Sequence, residues 1–236
     1  MFDYPAIYKE ADDISNKTQK HYLNILRLFL CMLVISSIMF TYFDAVLILK
    51  VVNAVISLGI LALCFIFHFY NFQGIWYTAR AVAESVKTIS WRYAMKIIPY
   101  NTQDNVASNL LIDRIKSIID TSTSFKDHLT VNFGNQQAIP SKMTEIRHPS
   151  VLERRNIYAQ HRIIEQRDWY NYKSKYNQKR ANLFSVLVIL VAFSVSLAII
   201  VSVINTCTQH IFPVSILLTL TSVFFVWLQT KNTNSL

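Results

Sequence analysis

The residues best equipped for chemistry lie where water is scarce. Lys50, Asn53, Ser57, Cys64 and His68 fall within a sector of about 60° on one helix at 100° per residue. The opposite side of that helix is Val, Ile, Leu and Ala. Charged and amide side chains in hydrocarbon face a protein interior or a water-filled path, so Lys50, Asn53 and Ser57 are candidates to line a route for ions. Hydrogen bonding between helices is the competing role, and Lys50 lies close enough to an interface to snorkel into water. A second group is cationic. Arg155, Arg162, Lys173 and Arg180 fall on one helical line beside Trp169. Guanidinium groups give directed contacts to phosphate and an indole can stack on a base, so this line is a candidate site for a nucleotide, an oligonucleotide or a lipid headgroup. A solvated basic edge is the simpler alternative.

Other chemistries find little support. His21, His68, His128, His148, His161 and His210 form no HExxH, HxH or Cys/His cluster, and Cys31, Cys64 and Cys207 have no CxxC spacing. Only Gly59, Gly74 and Gly134 are present, too few for a phosphate-cradling loop. His161 and Glu165 stand four apart, a spacing that a structural pair explains. No catalytic constellation, metal or cofactor is expected, and the chain does not read as an enzyme.

The elements that must position these residues are apolar helices. Across 236 residues, hydrophobic types make up 53% and charged types 16%, well below the roughly 25% charge of a soluble domain. Four blocks suit bilayer spans of about 17–25 residues: 28–43, 45–69, 183–203 and 211–228. Little more than Asp44 joins the first two, and 205–210 join the last two, so each pair reads as a tight hairpin. On the fourth block Ser215, Thr219, Ser222 and Gln229 form a narrow stripe that reads as hydrogen bonding within a bundle. No cleavable leader is expected, because no basic stretch leads into an apolar core near the start.

Seventeen of the 23 Lys and Arg lie between Arg80 and Arg180, while the hairpin tips contain none. Basic residues stay in the cytoplasm, which predicts cytoplasmic termini and middle, with residue 44 and residues 205–210 outside. The predicted fold class is an all-α polytopic membrane protein with four transmembrane helices in two hairpins and a cytoplasmic helical bundle. Its divisions are an N-terminal helix over 1–27, hairpins over 28–69 and 183–228, a helical region over 70–182 and a tail over 229–236. Residues 74–100 read as a helix continuing the second span, with Ile75, Ala79, Val82, Val86, Ile89 and Tyr93 as its apolar stripe and Pro99 as its end. Residues 104–125 read as another, with Val106, Leu110, Ile115 and Ile118 inward. A loop over 132–149 precedes a long helix into the third span, carrying Tyr158, His161, Trp169, Tyr172 and Tyr176 on one side. Similar polar segments precede the two hairpins (Asn16 to Lys20, Asn177 to Arg180), suggesting two repeated units.

Trp76, Arg80, Glu84, Lys87, Trp91 and Pro99–Tyr100 resemble the signature that follows the first hairpin of SLATT-domain proteins, the SMODS- and SLOG-associating two-transmembrane effectors. Tyr158, Arg162, Gln166, Trp169–Tyr170, Lys173 and Asn177 resemble the helix leading into that family's second hairpin, so the likeness is to a tandem form. The resemblance implies a bacterial inner-membrane effector of a nucleotide-linked antiphage system. Such an effector would form a homo-oligomer and open a pore when a partner nucleotidyltransferase or sensor signals infection, killing the cell. It brings no catalytic residues, and the shared positions read as packing and ion-pair sites. A non-conducting anchor or scaffold, or a small ion transporter, are the alternatives.

Overall fold

The computed structural model describes residues 2–42, 46–129, 139–204, 216, 219–223 and 226–227, and these residues form helices and short connections without a strand. The helices are α1 (Ala6–Tyr42), α2 (Leu47–Phe69), α3 (Phe72–Ala94), α4 (Asp104–Asp120), α5 (Thr123–Lys126), α6 (Ser141–Glu145), α7 (Val151–Tyr158) and α8 (Glu165–Ile204). A π-helical segment, Ala159–Ile164, lies between α7 and α8. The contacts divide the chain into a polar unit, Met1–Leu23 with Tyr70–Trp169, and an apolar unit, Asn24–Phe69 with Tyr170–Leu236. The expected hairpin tip at Asp44, the 205–210 connection, Cys207, Ser215, Gln229 and most of the fourth block lie outside the described residues.

The apolar unit follows from hydropathy. The α1 and α2 segments are long and apolar enough to cross a membrane. No residue of α2 is buried within the protein, and Leu47, Ile48, Val55 and Leu58 are all broadly exposed. Such a surface is compatible with lipid rather than water, because every backbone polar group inside a helix is satisfied by the helix itself. On α8, the run 183–203 carries no charge.

The polar unit has a core of its own. From α3, Ala79, Val82, Val86, Ile89 and Tyr93 point inward, as the periodicity predicts, and meet Ile7 and Ala11 of α1. The first 23 residues are therefore part of this core rather than a separate element. Trp91 anchors them: its ring stacks on Phe2 at 4.0 Å, its indole N–H donates to the Tyr4 hydroxyl at 2.9 Å, and Tyr158 meets it edge-on at 5.5 Å. Burial pushes the Tyr4 hydroxyl's pKa up, so it stays neutral. Arg80 reaches both Asp12 (3.3 Å) and Glu84 (3.8 Å), and Glu84 also meets Lys87.

Several sequence-based boundaries shift. Helix α3 does not continue the second span. The chain breaks at Tyr70 and Asn71, and the Asn71 side chain accepts from the Gly74 N–H at 2.9 Å as the cap of a new helix. A Cβ at Gly74 would stand 2.6 Å from that cap oxygen. Pro99 does not end α3 either. The Ile97 N–H bonds the Arg92 carbonyl and the Lys96 N–H bonds that of Tyr93, with Lys96 at φ 54°, so a Schellman turn closes it earlier. In α4 the buried face is Ala107, Leu111, Ile115 and Ile119. Val106 and Leu110 are exposed instead, one position off the predicted face. Within the expected 132–149 loop, Ser141–Glu145 is helical. Ser150 and Glu153 close a capping box at the start of α7, as expected for a helix beginning there.

Arg147 fixes this arrangement. Its side chain has no exposed surface. Its guanidinium donates to the Tyr93 carbonyl, to the Tyr100 carbonyl at 3.1 Å and to the Asp104 carboxylate at 2.9 Å. It also lies 4.2 Å from the centre of the Tyr93 ring. One cation thus binds a carbonyl in the last turn of α3, a carbonyl of the connection that follows and a carboxylate in the first turn of α4, and the two helix ends are where dipoles favour those charges.

Arg147→Ala is expected to lower the stability of the polar unit by about 3–5 kcal/mol, because it strands buried acceptors and opens a cavity. Arg147→Lys should recover part of that loss, its ammonium reaching fewer of the partners. Denaturant unfolding of the purified protein in detergent, followed by Trp fluorescence, measures both.

Arg147 also holds the Asp104 carboxyl below the usual carboxylate range, chiefly through their hydrogen bond. A depressed folded-state pKa makes the contribution complete above the unfolded carboxylate's value of about 4, and it is lost as pH falls through the folded value. Asp104→Asn should therefore flatten the acid limb of the stability–pH profile and lower stability at neutral pH. An unchanged acid limb would refute the assignment.

Candidate functional site

On α2 the polar face sits in a cleft beside α1. Met39, Phe40, Leu49, Lys50, Asn53, Ala54 and Ser57 line this cleft of about 260 Å³. The structure therefore brings together Lys50, Asn53 and Ser57, the three residues singled out by spacing. Lys50 and Ser57 are exposed and Asn53 is half-buried. The cleft is amphiphilic: one ammonium, one amide and one hydroxyl against the side chains of Met39, Phe40, Leu49 and Ala54.

Hydrogen bonds specify what these groups do locally. Ser36 of α1 donates to the Asn53 side-chain oxygen at 2.8 Å. Ser57 donates back to the Asn53 backbone carbonyl at 2.9 Å, which satisfies its hydroxyl within the helix. Close approach of the two helices is helped by Gly59, where a Cβ would stand 2.6 Å from the Met32 methyl. Phe29 and Phe67 meet edge-on at 6.0 Å. Ser37 accepts from Thr219 at 3.2 Å, so this member of the fourth-block stripe hydrogen-bonds to another helix, as its sequence suggests. Cys64 and His68, the remaining members of the second-span sector, are exposed outside the cleft.

Sequence reasoning missed Ser36. Only the adjacent Ser36–Ser37 pair inside an apolar run hinted at it. Arg147 was also missed. Its signal was the four-residue step from Met143, which puts both side chains on one face of a short helical turn, and both are fully buried.

The cationic line behaves differently. Arg155 is exposed and Arg162 half-buried in the polar unit, whereas Lys173 and Arg180 belong to the apolar unit. The line assumed 100° per residue throughout, and the π-helical turn at Ala159–Ile164 breaks that register between its members. The four cations therefore do not share one continuous 100° register. Trp169, the stacking candidate, is about half exposed at 49%. His161 and Glu165 make the expected 2.9 Å contact. Arg180 bonds the Tyr176 hydroxyl at 3.0 Å and lies against the Tyr176 and Phe184 rings.

Among the described residues no group of three or more His, Cys, Asp or Glu is placed to hold a metal ion. The chain is all-helical among the described residues, with two long lipid-compatible helices and a polar unit that has its own core, the features of a membrane protein with a helical module. The model of the SMODS and SLOG-associating 2TM effector domain 3 matches residues 5–155, and that of the SMODS and SLOG-associating 2TM effector domain 1 matches residues 158–236. The chain belongs to the SLATT family and carries two of its domains in tandem. No curated protein and no solved structure matches the chain. The suspected repeat therefore has a family counterpart, and the join at 155–158 falls in α7 just before the π-helical turn. The residues that carried the resemblance serve packing and pairing: Arg80, Glu84 and Lys87 in the ion-pair chain, Trp91 in the aromatic cluster, Tyr100 in the Arg147 cage.

The Ser36–Asn53 contact is expected to couple α1 and α2 by about 0.6 kcal/mol, the average for hydrogen bonds between membrane helices. A double-mutant cycle of Ser36→Ala and Asn53→Ala, read by unfolding in mixed micelles, measures the coupling; additive effects would show that the contact contributes nothing.

Proposed function

We propose that this protein is a pore-forming effector of a bacterial nucleotide-linked defence system. Four spans in two hairpins cross the inner membrane, with both termini and the polar unit in the cytoplasm. Copies of the chain assemble around an axis, because one four-helix bundle fills its own interior and leaves an aqueous path to form between protomers. A partner nucleotidyltransferase supplies the signal, and opening permeabilises the membrane and kills the infected cell. The SMODS and SLOG association in the family description supports a nucleotide-signalling partner.

The observation that carries the pore reading is the shared cleft of Lys50, Asn53 and Ser57 on an otherwise apolar helix. Lys50 lies in the first turn of α2, where water in a conducting path would hydrate its ammonium. Lys50 side chains repeated around an axis would favour anions over cations. In the polar unit, Arg155 and Arg162 are the cations proposed to meet the phosphates of a nucleotide signal, with Trp169 available to stack on a base. A second reading, a non-conducting membrane anchor or scaffold, is favoured by the Ser36–Asn53 hydrogen bond, since it gives the amide a purely structural partner.

The test is ion flux from liposomes containing the purified protein, with and without candidate nucleotides, followed by bilayer recording. Wild type should prefer anions, Lys50→Ala should lose the preference and Lys50→Glu should reverse it. Arg155→Ala with Arg162→Ala should remove the response to nucleotide. Identical selectivity in all three Lys50 forms would take that residue out of the path, and absence of flux under every condition would leave the anchor reading.

A further inference from the structure

The start of α8 carries an arrangement that the pore reading does not use. Tyr172, Tyr176, Arg180 and Phe184 follow at four-residue steps and so form one ridge of the helix. The Tyr172 and Tyr176 rings stack at 6.4 Å and 17°. Arg180 Nη1 donates to the Tyr176 hydroxyl at 3.0 Å. The guanidinium carbon lies 5.5 Å from the Tyr176 ring centre and 5.9 Å from that of Phe184. Arg180 is thus held between two rings while remaining exposed. Tyr172 and Tyr176 are 68% and 44% exposed, more surface than rings of a packed bundle would show.

Position and charge say what covers them. Arg180 precedes Leu183, the first residue of the charge-free run, by three residues, a rise of about 4.5 Å. Tyrosines at that depth lie at the headgroup level of a bilayer. Lys173, Lys175, Lys179 and Arg180 fall within eight residues, and no Asp or Glu occurs anywhere after Asp168. This stretch is therefore strongly positive where hydrocarbon begins. A soluble nucleotide would find an apolar wall on the Phe184 side, whereas a phospholipid has acyl chains to place there.

We propose that the Tyr172–Tyr176–Arg180–Phe184 ridge of α8 is a headgroup site for an anionic glycerophospholipid. The Arg180 fork takes the phosphate with two parallel hydrogen bonds. The Tyr176 hydroxyl fixes the arm before the lipid arrives, so less side-chain freedom is lost on binding. Phe184 and the run beyond it receive the acyl chains. Lys179, next to Arg180 in the chain, adds long-range attraction. The site does not depend on whether the protein conducts.

Native mass spectrometry of the full-length protein, with dioleoylphosphatidylglycerol and dioleoylphosphatidylcholine added at equal concentration, tests the site. Wild type should retain the anionic lipid in preference to the zwitterionic one, and Arg180→Ala should reduce that preference about fivefold. Tyr176→Phe, which keeps the ring and loses only the hydroxyl that holds the arm, should reduce it by less, and it covers the case in which Arg180→Ala does not fold. Excess glycerol phosphate should fail to displace the bound lipid. Equal retention of the two lipids by wild type would overturn the proposal, as would a preference untouched by both substitutions. Displacement by glycerol phosphate would make the site one for free phosphate esters and would equally overturn it.

Discussion

Everything in the polar unit depends on where one buried guanidinium can be satisfied. Arg147 carries a full charge with no exposed surface, and a charge in that position is tolerated only if hydrogen bonds replace its hydration. Its partners are one carboxylate and a set of backbone carbonyls at the end of α3 and in the segment leading to α4. Because carbonyls are fixed to the backbone, binding them fixes the path of the chain. The α3 terminus, the 95–103 connection and the first turn of α4 are placed together, and the direction of α4 follows. Tyr93 contributes twice, offering its carbonyl at the helix end and its ring face to the same cation.

The apolar unit obeys the opposite rule. Its helices satisfy their own backbone, so few side-chain bonds are needed and each one stands out. Ser36 to Asn53 and Thr219 to Ser37 are such bonds, with Ser57 and Ser194 turned back onto their own helices. An amide on α2 therefore has a reason to be there even without an ion passing it. Lys50 differs from Asn53 and Ser57 in carrying a full charge, which is why the functional reading rests on it more than on either.

Much of this was legible in the sequence, for identifiable reasons. Long apolar runs and a 3.6-residue stripe are repeated many times over, so single exceptions do not erase them; the inward face of α3 survived from Ala79 to Tyr93, with Ile75 half-buried outside the core. The face of α4 did not, because Val106–Ala107 and Leu110–Leu111 are adjacent apolar pairs and periodicity cannot choose between members of a pair. Tertiary contacts chose: Tyr93 shares a hydrogen bond with Ser108, and Asp104 is tied to Arg147. The break at Asn71 was hidden for a similar reason, since one side-chain cap interrupts an otherwise unbroken helical pattern. The π-helical turn has no signature in composition at all, and it undid the one inference that counted degrees over 25 residues. Among the candidate residues, the cleft trio lies within eight positions and lines one cleft. The cationic line covers 26 positions, and the π-helical turn interrupts its register.

The separation in sequence between Arg147 and its partners also has a meaning in time. The Tyr93 carbonyl lies 54 residues before the side chain that binds it, and the Tyr4–Trp91 contact closes over 87. The whole of α2 and the apolar half of α1 lie inside that second interval. A ribosome adding about 5–20 residues per second takes roughly 3–10 s to pass from Tyr93 to Arg147. For that period the Tyr93 carbonyl, and Asp104 once it is made, are without the guanidinium that later joins them. The first apolar hairpin has been synthesised before the module that frames it in sequence can close, so membrane insertion has a head start over completion of the fold.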